Sequence, residues 1–158
     1  MPIKKIKGIW FYGISGCGKT FVSSFLKKKI NTGVIIDGDQ VRKYISFDLK
    51  YSLKERKIQI RRILGIGKIV LRSNKFPIIS SVYFDKKIFN ECVKLGIHPI
   101  KIFRNNIKMT RKNNPTYNNK KNIVGLDIQY GNFKTDILIN DERKNFWNTN
   151  HIIKKLIS

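Results

Sequence analysis

Short apolar runs and longer stretches with helical spacing follow one another along the chain. Residues 6–12 form an aromatic-rich apolar run, which is typical of a buried strand. Apolar residues then recur at the spacing of an amphipathic helix, at Phe21, Val22, Phe25 and Leu26. Lysines at 27–29 follow, where the dipole of a helix favours cations. The pattern therefore predicts a strand, a turn and a helix.

The rest of the chain repeats this alternation. Apolar runs predict further strands at residues 32–37, 75–84, 98–105 and 135–140. Helical patterns predict further helices at residues 38–45, 51–73, 85–96 and 148–157. Ser52 with Glu55 forms a capping box, Gly96 ends a helix, and Thr149 or Asn150 caps the last one. We expect an α/β fold with a mostly parallel, five-stranded sheet and helices on both faces.

Length and composition favour one domain over residues 1–158. We expect no membrane span, because no stretch approaches the ~20 apolar residues that a bilayer requires. The amino terminus lacks the pattern of a secretory signal, and Cys17 and Cys92 indicate no disulfide framework, so we expect a cytoplasmic protein. Residues 111–122 are polar, basic and turn-rich, and predict either a surface loop or a mobile lid over phosphates.

The net charge of +23 has two interpretations. A basic protein of this kind can bind nucleic acid. However, the chain has no alanine and is rich in Lys, Asn and Ile, as an AT-rich genome would produce, and its lysines are spread along the chain. We favour the second interpretation and do not expect nucleic acid as a partner, although a basic surface would attract anionic substrates.

The turn after the first strand carries the sequence GISGCGKT, which fits the phosphate-binding loop G-x-x-x-x-G-K-[ST]. The glycines let successive N–H groups point at phosphates, and the following helix adds its free N–H groups. We therefore predict a P-loop NTPase three-layer sandwich. Its ATP-binding residues are Gly13, Ile14, Ser15, Gly16, Cys17, Gly18, Lys19 and Thr20. Lys19 reaches the β- and γ-phosphates, and Thr20 holds Mg²⁺.

Two acids follow the second strand, in the sequence VIIDGDQVR. Asp37 and Asp39 lie beside the predicted phosphate loop, where one can hold magnesium-bound water and the other can accept a proton from a substrate hydroxyl. Arg42 offers a fork for an anionic substrate. The N-K-x-D sequence with which GTPases read guanine is absent from the chain, so these residues favour a small-molecule kinase.

These motifs resemble those of the adenylylsulfate kinase family over nearly the whole chain. GISGCGKT resembles its G-L-S-G-S-G-K-S/T loop, and IIDGDQVR resembles its more specific L-D-G-D-N-V-R. FDLKYSLKERKIQIRRI, PIISSVYF and VGLDIQY resemble three further family segments. The resemblance implies transfer of the γ-phosphoryl group of ATP, with Mg²⁺, to the ribose 3′-hydroxyl of adenylyl sulfate, by a protein that is often a dimer.

The resemblance also implies roles for individual residues. Lys19, Asp37 and Asp39 are the catalytic candidates, and Thr20 and Asp37 the metal ligands. We favour Asp39 as the base, because it lies further towards the substrate. The candidates for acceptor binding are Arg42, Tyr51, Arg56, Gln59, Ser80, Arg111, Lys120 and Ile123. Among these, Tyr51 matches an aromatic residue that stacks on the base of the substrate.

The chain departs from the family pattern where the acceptor is expected. Ile123 replaces a second stacking aromatic, Gln59 is one methylene longer than the family's asparagine, and Asn113 and Asn114 replace an Arg-Asp pair. These changes leave a second acceptor open, cytidine diphosphoramidate of capsule biosynthesis, whose smaller base needs less stacking surface. Two other classes also remain, a non-catalytic nucleic-acid binder and a nucleotide-binding regulator without catalysis.

Overall fold

The structure, a computed structural model, describes residues 5–112, 114–118, 121–131 and 133–141. The strands are β1 (Gly8–Tyr12), β2 (Gly33–Asp37), β3 (Phe76–Ser81), β4 (Ile97–Phe103) and β5 (Asp136–Ile139). The helices are α1 (Lys19–Lys29), α2 (Gly38–Tyr44), α3 (Leu53–Arg72), α4 (Lys86–Leu95) and α5 (Ile107–Lys112), with a 3₁₀ helix at Pro115–Asn118. The predicted closing helix over residues 148–157 lies outside the described residues.

The five strands form one sheet in the order β2-β3-β1-β4-β5, and every pairing is parallel. β1 lies in the middle, and its residues are all buried because strands flank it on both sides and helices cover both faces. Parallel strands end at the same edge of a sheet. The carboxyl ends of β1, β2 and β3 therefore bring the phosphate loop, Asp37 and Ser80 to one edge.

Alternate residues of β1 enter different hydrophobic clusters. Trp10 and Tyr12 pack on one face of the sheet with residues of α3 and α4, such as Ile63. Ile9 and Phe11 pack on the other face with residues of α1. Helices thus cover the sheet on both sides, which confirms the predicted three-layer α/β sandwich. No helix of the described residues is long and apolar enough to cross a membrane.

Local signals set several element boundaries. Ser52 and Glu55 form the predicted capping box at the start of α3, and Gly96, in the left-handed region with φ 77°, ends α4. β3 ends at Ser81 rather than at residue 84, because the Ser81 hydroxyl donates to the Tyr83 carbonyl at 2.7 Å in a turn. The sequence analysis did not predict α5, which begins where Asn106 Oδ1 accepts the Met109 N–H at 3.1 Å.

Candidate active site

The phosphate loop connects β1 to α1, as the sequence predicts. Lys19 Nζ donates to the carbonyl oxygens of Gly13 and Ile14, both at 2.9 Å, so its ammonium group lies within the curl of the loop. Gly18 has a φ of 97° and faces the side chain of Asn140 so closely that a Cβ atom would clash with it. Only glycine fits this position without strain, which explains why a glycine precedes Lys19.

The two candidate acids lie at the junction of β2 and α2, and they differ in their contacts. Asp37 caps α2, because its Oδ1 accepts the N–H groups of Asp39 at 3.0 Å and Gln40 at 3.2 Å. Its Oδ2 accepts the Ser80 hydroxyl at 2.9 Å. Asp39 is exposed in the first turn of α2 and lines the cavity described below. Asp37 is thus held in place, whereas Asp39 presents its carboxylate to solvent.

Two arginines flank the ring of Tyr51. The Cζ atoms of Arg42 and Arg56 lie 4.6 Å and 5.4 Å from the ring centroid. Arg42 Nη1 donates to the carbonyls of Leu49 and Lys50, and Arg56 donates to the carbonyls of Tyr51 and Asn122. Backbone carbonyls therefore fix both guanidinium groups, and no carboxylate of the described residues forms an ion pair with either.

Burial and charge act together at Arg56. Arg56 is only 7% exposed. Burial, and then the positive charge of Arg42, lower the pKa of the Arg56 guanidinium, while Tyr51, Tyr130 and Asp39 oppose the shift. A buried cation beside a second cation gains from a bound anion, so this part of the site suits a negatively charged substrate.

Gln59 and Ile123 form the inner wall of the same region. Gln59 is 5% exposed, and its Nε2 donates to the Gly38 carbonyl at 3.0 Å. Its Oε1 is buried without a hydrogen-bond partner among the described residues, so a donor from a bound molecule would satisfy it. Ile123 is 6% exposed and lines the same cavity, as the position implied for the second stacking residue would require.

One cavity of about 660 Å³ joins these groups. Its lining includes the phosphate loop and α1, with Ser15, Gly16, Gly18, Lys19 and Thr20. It also includes the predicted residues Asp37, Asp39, Arg42, Tyr51, Arg56, Gln59, Ser80 and Ile123. The volume is within the range of small-molecule sites. The structure therefore brings the donor loop, both acids and most of the predicted acceptor residues to one space.

Two predicted acceptor residues are not placed at this cavity. Arg111 lies on α5 with its guanidinium 5.4 Å from the ring centroid of Tyr117, and it is absent from the lining of the cavity among the described residues. Lys120 lies outside the described residues. Their roles in acceptor binding stay predictions.

Cys17 of the phosphate loop is fully buried, and burial raises the pKa of its thiol although Lys19 opposes the shift.

The oxygen donors at the cavity suit a magnesium ion that is held mainly by substrate phosphates. Thr20 and Asp37 both line the cavity, as a P-loop kinase requires. The described residues contain no cluster of three or more His, Cys, Asp or Glu side chains that could enclose a metal ion. Mg²⁺ is usually bound through one or two protein groups with phosphates and water, so this donor set fits it.

Several residues that contact the site were not predicted from the sequence. Tyr83, Lys121 and Asn122 line the cavity, and the side chains of Tyr117 and Asn140 bind the phosphate loop. Asn140 carried a usable signal, because it is the last residue of a predicted strand, at the carboxyl edge of the sheet. Tyr117 carried none, since its contact depends on how the chain folds back between β4 and β5.

Comparison with known proteins relates this site to one family. The model of the family described as adenylylsulphate kinase matches residues 5–130. The adenylyl-sulfate kinase of Buchnera aphidicola subsp. Acyrthosiphon pisum is 35% identical over 79 residues, 47% of this chain and 38% of that protein. The probable adenylyl-sulfate kinase of Halalkalibacterium halodurans is 35% identical over 69 residues, 41% of this chain and 33% of that protein. These alignments thus span less than half of each relative.

A solved structure supports the same relationship at the level of the fold. The Mycobacterium tuberculosis APS kinase CysC, in complex with AMPPNP and APS, has a TM-score of 0.76 and 20% identity, over 98% of this chain and 99% of that one. This similarity confirms the P-loop fold predicted from the sequence. Together with the family model, which matches most of the chain, it leads to one conclusion: the chain belongs to the adenylylsulphate kinase family.

Proposed function

We propose that this protein is a kinase that transfers the γ-phosphoryl group of ATP to the ribose 3′-hydroxyl of adenylyl sulfate. The observation that carries the proposal is the single cavity that joins the phosphate loop, Asp39 and the arginine pair beside Tyr51. Relatives named adenylyl-sulfate kinases, and a solved relative that binds AMPPNP and APS, support this donor and this acceptor.

The donor side of the cavity would bind the phosphates of ATP. The loop supplies backbone N–H groups, and Lys19 leaves the carbonyls of Gly13 and Ile14 to bind the β- and γ-phosphates. Thr20 and Asp37 would hold Mg²⁺, which supplies charge neutralisation at the phosphates when it is bound. Since Ser80 and the first turn of α2 already orient the Asp37 carboxylate, this group needs little rearrangement to take part.

The acceptor side would bind and activate the hydroxyl. Asp39 accepts the hydroxyl proton as the acceptor oxygen bonds to the γ-phosphorus, while the bond between that phosphorus and the β,γ-bridging oxygen breaks and ADP leaves. Arg42 and Arg56 bind the anionic group of the acceptor. Tyr51 offers a ring face, and the unpartnered Gln59 Oε1 accepts a hydrogen bond from the acceptor.

The alternative acceptor and the alternative class receive less support. Relatives named for adenylyl sulfate favour it over the cytidine compound. The phosphate loop and both acids lie in one cavity of small-molecule size, which favours a kinase of a small nucleotide over a nucleic-acid binder. The cytoplasm would supply both proposed nucleotides, and we propose it as the site of action.

A coupled assay of ADP release tests the proposal. Adenylyl sulfate should stimulate ADP release well above the rate with ATP and Mg²⁺ alone, and the product should carry one added phosphate by mass spectrometry. Cytidine diphosphoramidate serves as the comparison acceptor in the same assay. ADP release that no acceptor stimulates, from protein that binds ATP, would contradict the proposal.

The homodimer implied by the family resemblance also remains a proposal. Several apolar side chains at the end of α2 and in the segment before α3 are exposed, among them Tyr44 at 68% and Phe47 at 79%. An exposed apolar patch of this kind is typical of surfaces that bind protein. Sedimentation velocity should show a dimer that Phe47→Ser converts to a monomer, and a monomeric wild-type protein would exclude it.

A further inference from the structure

The outward-facing carbonyl groups of the phosphate loop are bound by side chains from other parts of the chain. The Tyr117 hydroxyl donates to the Ser15 carbonyl at 2.7 Å. Asn140 Nδ2 donates to the Cys17 carbonyl at 2.9 Å. These donors come from the 3₁₀ helix and from the end of β5, so two separate segments hold a loop that neither adjoins in sequence.

The orientation of a carbonyl determines the orientation of the next N–H group. Each peptide unit of the described residues is trans, so the C=O and the following N–H point in opposite directions. A bond to the Ser15 carbonyl therefore fixes the direction of the Gly16 N–H, and a bond to the Cys17 carbonyl fixes that of Gly18. Both glycines line the cavity, where a phosphate would bind.

Further hydrogen bonds support the contact between the 3₁₀ helix and the loop. Asn114 Nδ2 donates to Ser15 Oγ at 3.1 Å, and Asn114 Oδ1 accepts the Thr116 N–H at 3.0 Å. The Arg111 guanidinium lies over the Tyr117 ring. Burial raises the pKa of the Tyr117 hydroxyl, with Arg111 opposing, so this group stays protonated and able to donate at neutral pH.

We propose that Tyr117 and Asn140 are positioning residues that orient the N–H groups of the phosphate loop for nucleotide phosphates. They act through the loop carbonyls, from the outer side of the loop. The 3₁₀ helix is then a structural support of the donor site. The proposal rests on the proposed function only in that the loop binds phosphates, whichever acceptor the kinase uses.

Direct binding measurements on the purified protein test this assignment. Calorimetry with ADP and with inorganic tripolyphosphate should show about three- to tenfold weaker binding for Tyr117→Phe and for Asn140→Ala, the usual effect of one lost hydrogen bond. Tripolyphosphate has no base, so a parallel loss for both ligands locates the effect at the phosphates. In turnover, KM for ATP should rise more than kcat falls.

Matched variants control for general effects of the substitutions. Tyr44→Phe removes a hydroxyl from an exposed tyrosine, and Asn105→Ala removes a side chain that binds Asp141 rather than the loop. Both should bind ADP and tripolyphosphate as the wild type does, and the melting temperatures of all four variants should stay close to that of the wild type.

Several outcomes separate this inference from the proposed function. Unchanged tripolyphosphate affinity in both Tyr117→Phe and Asn140→Ala would overturn it, as would wild-type protein that binds neither ADP nor tripolyphosphate. Equal weakening in the control variants would also overturn it. If the two variants weaken phosphate binding but the wild type phosphorylates no acceptor, the positioning role stands and the proposed acceptor fails.

Discussion

The Ser80 hydroxyl donates a 2.9 Å hydrogen bond to Asp37 Oδ2, between residues that are direct partners in the pairing of β2 with β3. Sheet register therefore places a hydroxyl donor beside the carboxylate at the edge of the cavity. Asp37 also caps α2 with its other oxygen. This carboxylate thus has a structural role, in addition to the metal role that we propose for it.

We expect Asp37→Ala to raise the magnesium concentration needed for turnover and to lower the free energy of unfolding by about 1 kcal/mol, the usual effect of a lost N-cap. Asp37→Asn keeps an acceptor for the cap and should recover most of the stability. Magnesium titrations of turnover and chemical denaturation of both variants measure the two effects. A magnesium requirement that neither variant changes would exclude Asp37 from metal binding.

We expect Asp39→Asn to lower turnover by roughly 100-fold or more, because it removes the proposed general base. ATP affinity should change little, since the phosphate loop is untouched. Single-turnover kinetics and ATP binding measure the two quantities. If Asp37→Asn stops the reaction at saturating magnesium and Asp39→Asn does not, the roles of the two acids are reversed.

We expect Lys19→Ala to abolish turnover while the protein stays folded. The lysine would stabilise charge on the transferred phosphoryl group, and such electrostatic contributions are worth several kcal/mol. Its ammonium group contacts two carbonyls and the Cys17 sulfur, all within the phosphate loop, so the pairing of the strands does not depend on it. Turnover and circular dichroism of the variant provide the test, and ATP-dependent turnover at the wild-type rate would rule out this role.

We expect Ile123→Phe to tighten adenylyl sulfate binding by roughly three- to tenfold, because an aromatic contact adds about 0.5–1.5 kcal/mol beyond burial. Residue 123 lines the cavity, so a ring there would be near a bound base. The measurement is kcat/KM for adenylyl sulfate and cytidine diphosphoramidate, in wild type and variant. If both acceptors react equally and the substitution changes neither value, residue 123 does not face the base.

We expect the thiol of Cys92 to resist alkylation in the folded protein. Burial raises its pKa to about 12 from an ordinary value near 9, so no thiolate is available at neutral pH. The contribution of the protonated Cys92 thiol to the free energy of unfolding is complete below pH 9 and is lost as pH rises towards 12, because the thiol loses its proton first in the unfolded chain. Iodoacetamide labelling at pH 8, before and after denaturation, tests this, and rapid labelling of native protein would contradict it.

Much of the fold and the centre of the site followed from the sequence. The buried strands appear in the sequence as apolar runs. Because parallel strands end at the same edge of a sheet, the residues at the ends of β1, β2 and β3 had to lie close together. This reasoning placed the phosphate loop, Asp37 and Ser80 correctly in space. Their chemical roles, which spatial placement alone does not establish, remain predictions.

Other features depend on contacts that no local pattern encodes. The contacts of Arg42 and Arg56 with the ring of Tyr51 require α2 to pack beside α3, and the contact of Tyr117 with Ser15 spans 102 positions of the chain. α5 begins at Ile107, after Asn106, in a polar stretch without a clear hydrophobic period, so periodicity could not predict it.

The stack of two guanidinium groups on Tyr51 couples folding to the ionic composition of the solution. Two like charges share one ring without a carboxylate partner among the described residues, and their mutual repulsion opposes folding. An anion that binds there removes this repulsion and stabilises the folded state according to its concentration and affinity. Sulfate should therefore raise the melting temperature more than chloride at equal ionic strength, and Arg56→Met should reduce the difference.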